Sequence, residues 1–169
     1  LNYISTFPEF NIRTYVKYKN KSGVFFLTLD AQSKITCLFA PYAYGLPYRY
    51  ALGSLQTDNN TYLWNSKRIS DLAELKGYCK PVGKYMTASN GSLKEFLFER
   101  YCLFTLINDN LCIGYVAHKP WVYQKGEVYL EINSFTVSYN LGIKNLLKPD
   151  LVHISDGVKV KTWSIETLK

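Results

Sequence analysis

Short runs of alternating apolar and polar residues, broken by turn-forming clusters, recur along the whole chain and predict a protein built mainly from β-strands. The first run follows Phe7-Pro8-Glu9-Phe10. Period two places Asn11, Arg13, Tyr15 and Lys17 on one face and Ile12, Thr14, Val16 and Tyr18 on the other. The polar turn Lys19 to Ser22 joins it to Gly23 to Asp30, an apolar run dense in β-formers, which predicts a hairpin. A second hairpin is predicted for Tyr48 to Leu55 and Thr61 to Ile69 around Thr57-Asp58-Asn59-Asn60. A third is predicted for Tyr101 to Ile107 and Leu111 to His118 around Asn108-Asp109-Asn110. Glu127 to Val137 alternates, with Glu127, Tyr129, Glu131 and Asn133 on one side. Leu151 to Ser155 and Val158 to Ile165 read as a closing hairpin turning at Asp156-Gly157.

Helical signals are few. Ser33 is placed to cap a helix through Tyr44, with Ile35, Leu38 and Phe39 near one face, Pro41 weakening its second half, and Gly45 and Pro47 ending it. Ser92-Leu93-Lys94-Glu95 has the form of a capping box, in which hydroxyl and carboxylate each satisfy a free amide. Leu141 to Leu147 predicts a brief helical turn stopped by Pro149. Between these, Gly77 to Ala88 reads as an edge strand, bulge or loop, because Pro81 and Gly83 would interrupt a central strand. The sum is an α+β protein, mainly β with short helices, in which antiparallel strands form a barrel or paired sheets.

Composition sharpens this reading. At 169 residues the chain fits one domain with a sizeable core, and fifteen Tyr within a 16% aromatic share suit half-buried pleated surfaces. Twenty Lys and Arg against thirteen Asp and Glu give a net charge of +7, yet the basic residues are dispersed, which favours a solvated basic surface over a nucleic-acid groove. Cys37, Cys79, Cys102 and Cys112 lie in apolar runs without a Cys-x-x-Cys spacing or a nearby His set. No metal or cofactor is therefore expected, and a reducing, cytoplasmic setting is. No run approaches the roughly 18 apolar residues of a membrane span. Phosphate loops, dinucleotide fingerprints and His-x-x-x-His or Gly-x-Ser-x-Gly motifs do not occur, so His118 and His153 read as structural or exposed.

Arg13 is the residue that asks for an explanation. A charge in the middle of a β-prone run needs a solvated face, or an anion or carboxylate inside a cavity. With Tyr15, Tyr48, Glu99, Arg100, Tyr101 and Glu131 it forms a set of polar side chains on otherwise β-prone segments. Two readings stay open. Arg13 makes a bidentate contact to a ligand carboxylate, oriented by the Tyr and Glu residues, or it pairs internally with Glu99 or Glu131 and fixes strand register. Lys119-Pro120-Trp121 reads as a strand end and packing anchor, and Trp64 and Trp163 as core or rim aromatics.

Several phrases, in order, carry a resemblance over nearly the whole chain: Phe-Pro-Glu-Phe-Asn-Ile-Arg-Thr-Tyr-Val from 7, Gly-Val-Phe-Phe-Leu-Thr-Leu-Asp-Ala from 23 and Leu-Pro-Tyr at 46 to 48. They continue with Phe-Glu-Arg-Tyr-Cys-Leu-Phe at 98 to 104, Lys-Pro-Trp at 119 to 121 and Asp-Gly-Val-Lys-Val-Lys-Thr-Trp from 156. These residues resemble the YqjF-like family of uncharacterised bacterial proteins. The resemblance implies an acetoacetate decarboxylase-like fold, with sheets around a cavity and peripheral helices, and a further N-terminal segment. It also raises lysine imine chemistry, which in acetoacetate decarboxylase uses a lysine kept neutral by an adjacent lysine. This chain has no Lys-Lys pair, and the spacing of Lys80 and Lys84 does not force two ammonium groups together. The leading expectation is a protein that binds a small acidic or oxygenated organic ligand, such as a carboxylate. The alternative is an interaction module that holds protein or single-stranded nucleic acid on its basic, Tyr-rich surface. The strand near Gly77 to Ala88 is a candidate for subunit pairing.

Overall fold

The computed structural model describes residues 7–135, 139, 141–142 and 147–168. Its strands are β1 (Glu9–Tyr18), β2 (Lys21–Ala31), β3 (Tyr48–Asp58), β4 (Thr61–Arg68), β5 (Glu74–Thr87), β6 (Cys102–Ile107), β7 (Asn110–Ala117), β8 (Val122–Asn133), β9 (His153–Ile154), β10 (Lys161–Thr162) and β11 (Glu166–Thr167). Among the described residues two helices interrupt them, α1 (Lys34–Tyr44) and α2 (Leu93–Phe98).

Three of the four predicted hairpins form, and their turns have the required backbone. Lys19 (φ 51°), Asn59 and Asn60 (44° and 59°) and Asn108 and Asp109 (49° and 61°) all enter the left-handed region that tight hairpins need. Ser33 caps α1 by accepting from Thr36 N, and Gly45 closes it at φ 62°. Pro41 does not shorten α1, since the following turn is held by Gly45 N donating to Pro41 O at 3.1 Å. Its inward face differs from the apolar one: Ala40 is buried, while Ile35, Leu38 and Phe39 are 53%, 62% and 63% exposed. A small residue at the contact lets the helix sit close to β3 and β6.

The strands form one mixed sheet that does not close into a barrel, which corrects the antiparallel barrel. The reason lies in β2. Its first edge pairs antiparallel with β1 throughout. Its second edge is shared by two parallel partners, with Val24 and Phe25 against Leu103 and Phe104 of β6, and Leu29 to Ala31 against Tyr48 to Tyr50 of β3. The sheet therefore forks along β2. A β-bulge marks the place: Ile12 pairs with Thr28 and Arg13 with Phe26, leaving Leu27 as the extra residue. One leaf continues through β6 and β7, the other through β3, β4, β5, β8 and β9. An apolar cleft of about 250 Å³, lined by Phe25 to Leu27, Gly45 to Pro47 and Phe104 to Leu106, sits in the crotch.

The ambiguous Gly77 to Ala88 lies, all but Ala88, in β5, a 14-residue strand. Its β4 partner ends opposite Cys79, so Pro81 lies in an overhang paired to β8 alone, and the register shifts between Val82 and Met86, around Gly83 at φ 82°. The C-terminal hairpin does not form. β9 joins β8 in one leaf while β10 and β11 join β7 in the other, so Asp156-Gly157 lies in a crossover between leaves. The turn expected at Leu141 to Leu147 falls largely outside the described residues.

The longer leaf is fastened to β2 by a buried polar cluster. Arg68 on β4 and Asp30 on β2 are each 0% exposed, as is Thr28. Arg68 Nε donates to both Asp30 oxygens at 3.1 and 2.9 Å, Nη1 to Asp71 Oδ2 at 2.9 Å and Nη2 to Thr28 Oγ1 at 3.4 Å. Phe135 places its ring centroid 4.9 Å from the guanidinium carbon. The intervening strand contributes Ala51, paired with Arg68, so only a methyl group stands in the path from β4 to β2. Burial alone would lower the Arg68 pKa, but the bonds to Asp30 and Asp71 prevail and raise it. For Asp30 burial prevails over the same bonds and pushes the carboxyl up. Both Asp30 oxygens bind the guanidinium, which favours the charged carboxylate against the cost of its burial.

Asp30→Ala should cost about 3–5 kcal/mol in urea unfolding, because it strands a buried guanidinium, whereas Asp30→Leu with Arg68→Met should cost clearly less. A single-variant loss below about 1 kcal/mol would remove the cluster from this role. Asp71 has a lowered pKa in the fold, from the Ala73 amide and Arg68 outweighing desolvation. Its contribution is present above the ordinary carboxylate value and lost as pH falls through the lowered one, so Asp71→Asn should flatten the acid limb of a stability–pH curve.

Candidate functional site

The barrel fails to close between β1 and β9, the two edge strands of the long leaf and its partner, and α2 occupies that gap. The capping box positions it: Ser92 Oγ accepts from Glu95 N at 3.1 Å, while the Glu95 carboxylate accepts from Gly91 N at 2.6 Å. On one side Phe96 packs on Tyr15 of β1, ring centroids 4.9 Å apart. On the other, Phe98 packs on Tyr123 of β8 at 4.7 Å and His153 of β9 at 5.0 Å. Sequence-distant strands are thus held together by rings rather than by a hydrogen-bonded ladder.

At this seam opens a cleft of about 210 Å³, lined by Arg13, Phe98, Trp121, Tyr123, His153, Ile154 and Ser155. Arg13 is exposed. Its Nη2 donates to Leu97 O at 3.4 Å, the carbonyl that also accepts from Tyr15 OH at 3.0 Å, and its guanidinium carbon lies 5.8 Å from the Tyr15 ring centroid. Among the described residues no carboxylate lies within 4.0 Å of Arg13. The internal pairing with Glu99 or Glu131 is therefore not what the fold adopts. Burial, aided by Lys94 and Lys125, lowers the His153 pKa and so favours the neutral imidazole.

The other expected site residues divide among three places. Glu99 and Tyr101 lie next to the seam: Glu99 Oε1 accepts from Trp121 N at 3.0 Å and Oε2 from Tyr101 OH at 2.6 Å. Tyr101 in turn stacks on His118 at 4.8 Å, and His118 meets Trp121 edge-on at 5.7 Å. Glu99 thus anchors the short link between β7 and β8. Arg100 lies over Phe96 at 4.4 Å and donates to Glu99 O. Tyr48 is elsewhere, donating to Glu9 Oε2 at 2.6 Å beside an apolar cleft between α1 and β7. Glu131 faces outward on β8 and binds Lys76 Nζ at 2.8 Å, near the stacked Tyr78–Tyr129 pair. Arg13 and Tyr15 are together; Tyr48 and Glu131 are not with them.

Phe98, Tyr123 and His153 were not signalled by the sequence as lining, and Trp121 only as an anchor. Each is unremarkable within its own strand, and α2 alone brings them together. The cysteines are free thiols, with burial pushing Cys37, Cys79 and Cys102 up. Among the described residues no group of three or more His, Cys, Asp or Glu is placed to hold a metal, and no helix is long and apolar enough to cross a membrane.

Residues 1–159 match the DUF2071 model, described as an uncharacterized conserved protein. The chain belongs to the DUF2071 family. It is 32% identical over 160 residues to the uncharacterized protein YqjF of Bacillus subtilis, covering 94% of this chain and 65% of that protein. The DUF2071 chain therefore spans about two thirds of that relative's length. Its fold is similar to that of acetoacetate decarboxylase from Legionella pneumophila, with a TM-score of 0.64 at 16% identity over 96% of this chain and 67% of the other. A further acetoacetate decarboxylase structure gives a TM-score of 0.60 at 11% identity, covering 96% and 68%. The enduracididine biosynthesis enzyme MppR, complexed with pyruvate, gives 0.54 at 8%, covering 91% and 66%. At these identities the likeness is one of fold alone.

Glu99 leaves a spectroscopic mark. Its hydrogen bond, with desolvation, pushes the Tyr101 pKa up to about 12, so the neutral phenol is favoured in the fold and that preference is lost as pH rises from the ordinary value near 10.0 through the raised one. Glu99→Gln should return Tyr101 toward the ordinary value in a tyrosinate absorbance titration, read as the difference from a Tyr101→Phe control. An unchanged difference curve would separate Tyr101 from Glu99.

Proposed function

We propose that the seam cleft binds a small organic carboxylate, with Arg13 as the anion contact. One observation carries this reading: an exposed guanidinium without a carboxylate partner, held by Leu97 O and the Tyr15 ring, at the mouth of a ring-lined cleft. Arginine presents a planar fork that matches a carboxylate, and a guanidinium with donors to spare keeps them for a ligand. The cleft is smaller than the roughly 300–1,000 Å³ of drug-sized sites, which suits a small acid. The neighbours in fold support the same class, since acetoacetate and pyruvate, named for those proteins, are both small carboxylates.

The reading is one of binding. Lysine imine chemistry finds no lysine on the described lining, Lys80 and Lys84 are exposed, and Lys76 is bound to Glu131, which raises its pKa where a nucleophilic amine needs it lowered. A second surface favours the interaction-module alternative: Tyr78 and Tyr129 stack at 5.4 Å on the outer sheet face beside Lys76. Glu74 and Glu131 engage Lys67 and Lys76 on that face, which leaves its charge mixed rather than basic.

Isothermal titration with a panel of small carboxylates is expected to show binding that Arg13→Ala weakens at least tenfold, with Arg13→Lys intermediate because a point charge replaces the fork. A well-folded wild-type protein that binds none of them would overturn the reading, and a salt-sensitive mobility shift with single-stranded RNA would favour the alternative. Borohydride reduction in the presence of a β-keto acid should leave the intact mass unchanged.

A further inference from the structure

We infer that the carboxylate held at the seam belongs to an aryl acid, a flat aromatic ring bearing one carboxylate; this rests on the carboxylate reading above and adds the class of the organic part. The lining beyond Arg13 is made largely of rings: Phe98, Trp121, Tyr123 and His153, with Ile154 and Ser155 completing it. These rings are fixed by one another. His153 stands at 89° to Phe98 and 87° to Tyr123, with centroids 5.0 and 5.1 Å away, and Phe98 meets Tyr123 at 57°. Trp121 is held from behind through its backbone N–H to Glu99 and its ring contact to His118. Aromatic quadrupoles prefer another ring, edge-on or offset, to an aliphatic chain of equal area, and fixed walls lose little freedom when a ring enters.

Beyond Arg13, the hydrogen-bonding atoms of the lining side chains are Ser155 Oγ and the edge atoms of rings, Trp121 Nε1, Tyr123 OH and the His153 nitrogens. Ser155 Oγ already donates to Val122 O at 2.6 Å and accepts from Gly157 N at 3.2 Å. Arg13 is the one charged side chain among the lining residues. Against the faces of these rings a hydroxyl or keto group finds no partner and is desolvated at a cost, whereas an aryl group needs none there. The cleft thus joins one guanidinium from β1 to rings from α2, β8 and β9, a contact for a charge together with contacts for a ring.

The test is isothermal titration of the wild-type chain with benzoate, phenylacetate, cyclohexanecarboxylate and hexanoate, repeated on Arg13→Ala and Trp121→Leu, with circular dichroism melts to confirm folding. Benzoate or phenylacetate should bind at least tenfold tighter than either aliphatic acid. Arg13→Ala should weaken all four, and Trp121→Leu should weaken benzoate and phenylacetate far more than hexanoate, erasing most of the aryl preference. Equal affinity for aryl and aliphatic acids would overturn the aryl class and leave the carboxylate reading standing. No binding of any acid would overturn both. An aryl preference that survives Trp121→Leu in a folded variant would place the ring elsewhere and overturn the assignment to this cleft.

Discussion

The buried bond between Asp30 and Arg68 is the constraint on which the architecture turns. A strand has two edges, and β2 has three partners, so something must hold the second edge open as a fork rather than let β3 and β6 compete for it. Arg68 reaches from β4 across Ala51 to Asp30 and so fastens the long leaf to β2 at its C-terminal half. β6 is left with the N-terminal half. The extra residue Leu27 lies between the two, where a bulge bends the strand. Taking both charges out of water is costly, and the pair is tolerable only because Thr28, Asp71 and the Phe135 ring share the guanidinium.

Two arginines in β-strands thus have opposite fates. Arg68 is fully buried and carries two carboxylates; its donors are committed to holding strands together. Arg13 is exposed and carries one long bond to a carbonyl and a ring. A buried guanidinium contributes by being satisfied, whereas an exposed one with spare donors contributes only when something else arrives. The bulge links them, since Arg13 pairs with Phe26 immediately beyond the extra Leu27. The same irregularity that permits the fork sets the place of Arg13 on the edge strand facing α2.

Local chemistry was legible in the sequence. The turns at Asn59-Asn60 and Asn108-Asp109, the Ser33 cap and the Ser92–Glu95 box all follow from short-range rules that tertiary context did not override. What was not legible is what depends on partners far along the chain. Asp156-Gly157 has the residues of a hairpin turn, but β8 and β7 offered separate edges, and the tail paired with each in turn. In α1 the period was readable but not the side, because Thr36 and Ala40 permit a closer approach than Leu38 and Phe39. Arg68 could not be told from any other strand arginine, although the Asp ending Leu-Thr-Leu-Asp was a hint that a cation must meet it. For the site, Arg13 and Tyr15 were signalled by charge in a β-prone run. Phe98, Tyr123 and His153 carry no such anomaly.

Closure by a helix rather than by a ladder explains why the candidate site lies where it does. Had β1 and β9 paired, their backbone groups would have been satisfied by each other and the interior sealed by alternating side chains. Instead α2, only six residues long, packs on β1 and β9 through Phe96 and Phe98, and so short a helix cannot cover all ten residues of β1. The uncovered part is the cleft. Its lining is what each element presents at that height: an arginine from β1, a ring from α2, rings from the start of β8 and from β9. A likeness of fold at 8–16% identity does not carry side chains with it, so the chemistry at the opening rests on this chain's own residues. In this chain the residues at the opening are one available guanidinium and a set of fixed rings.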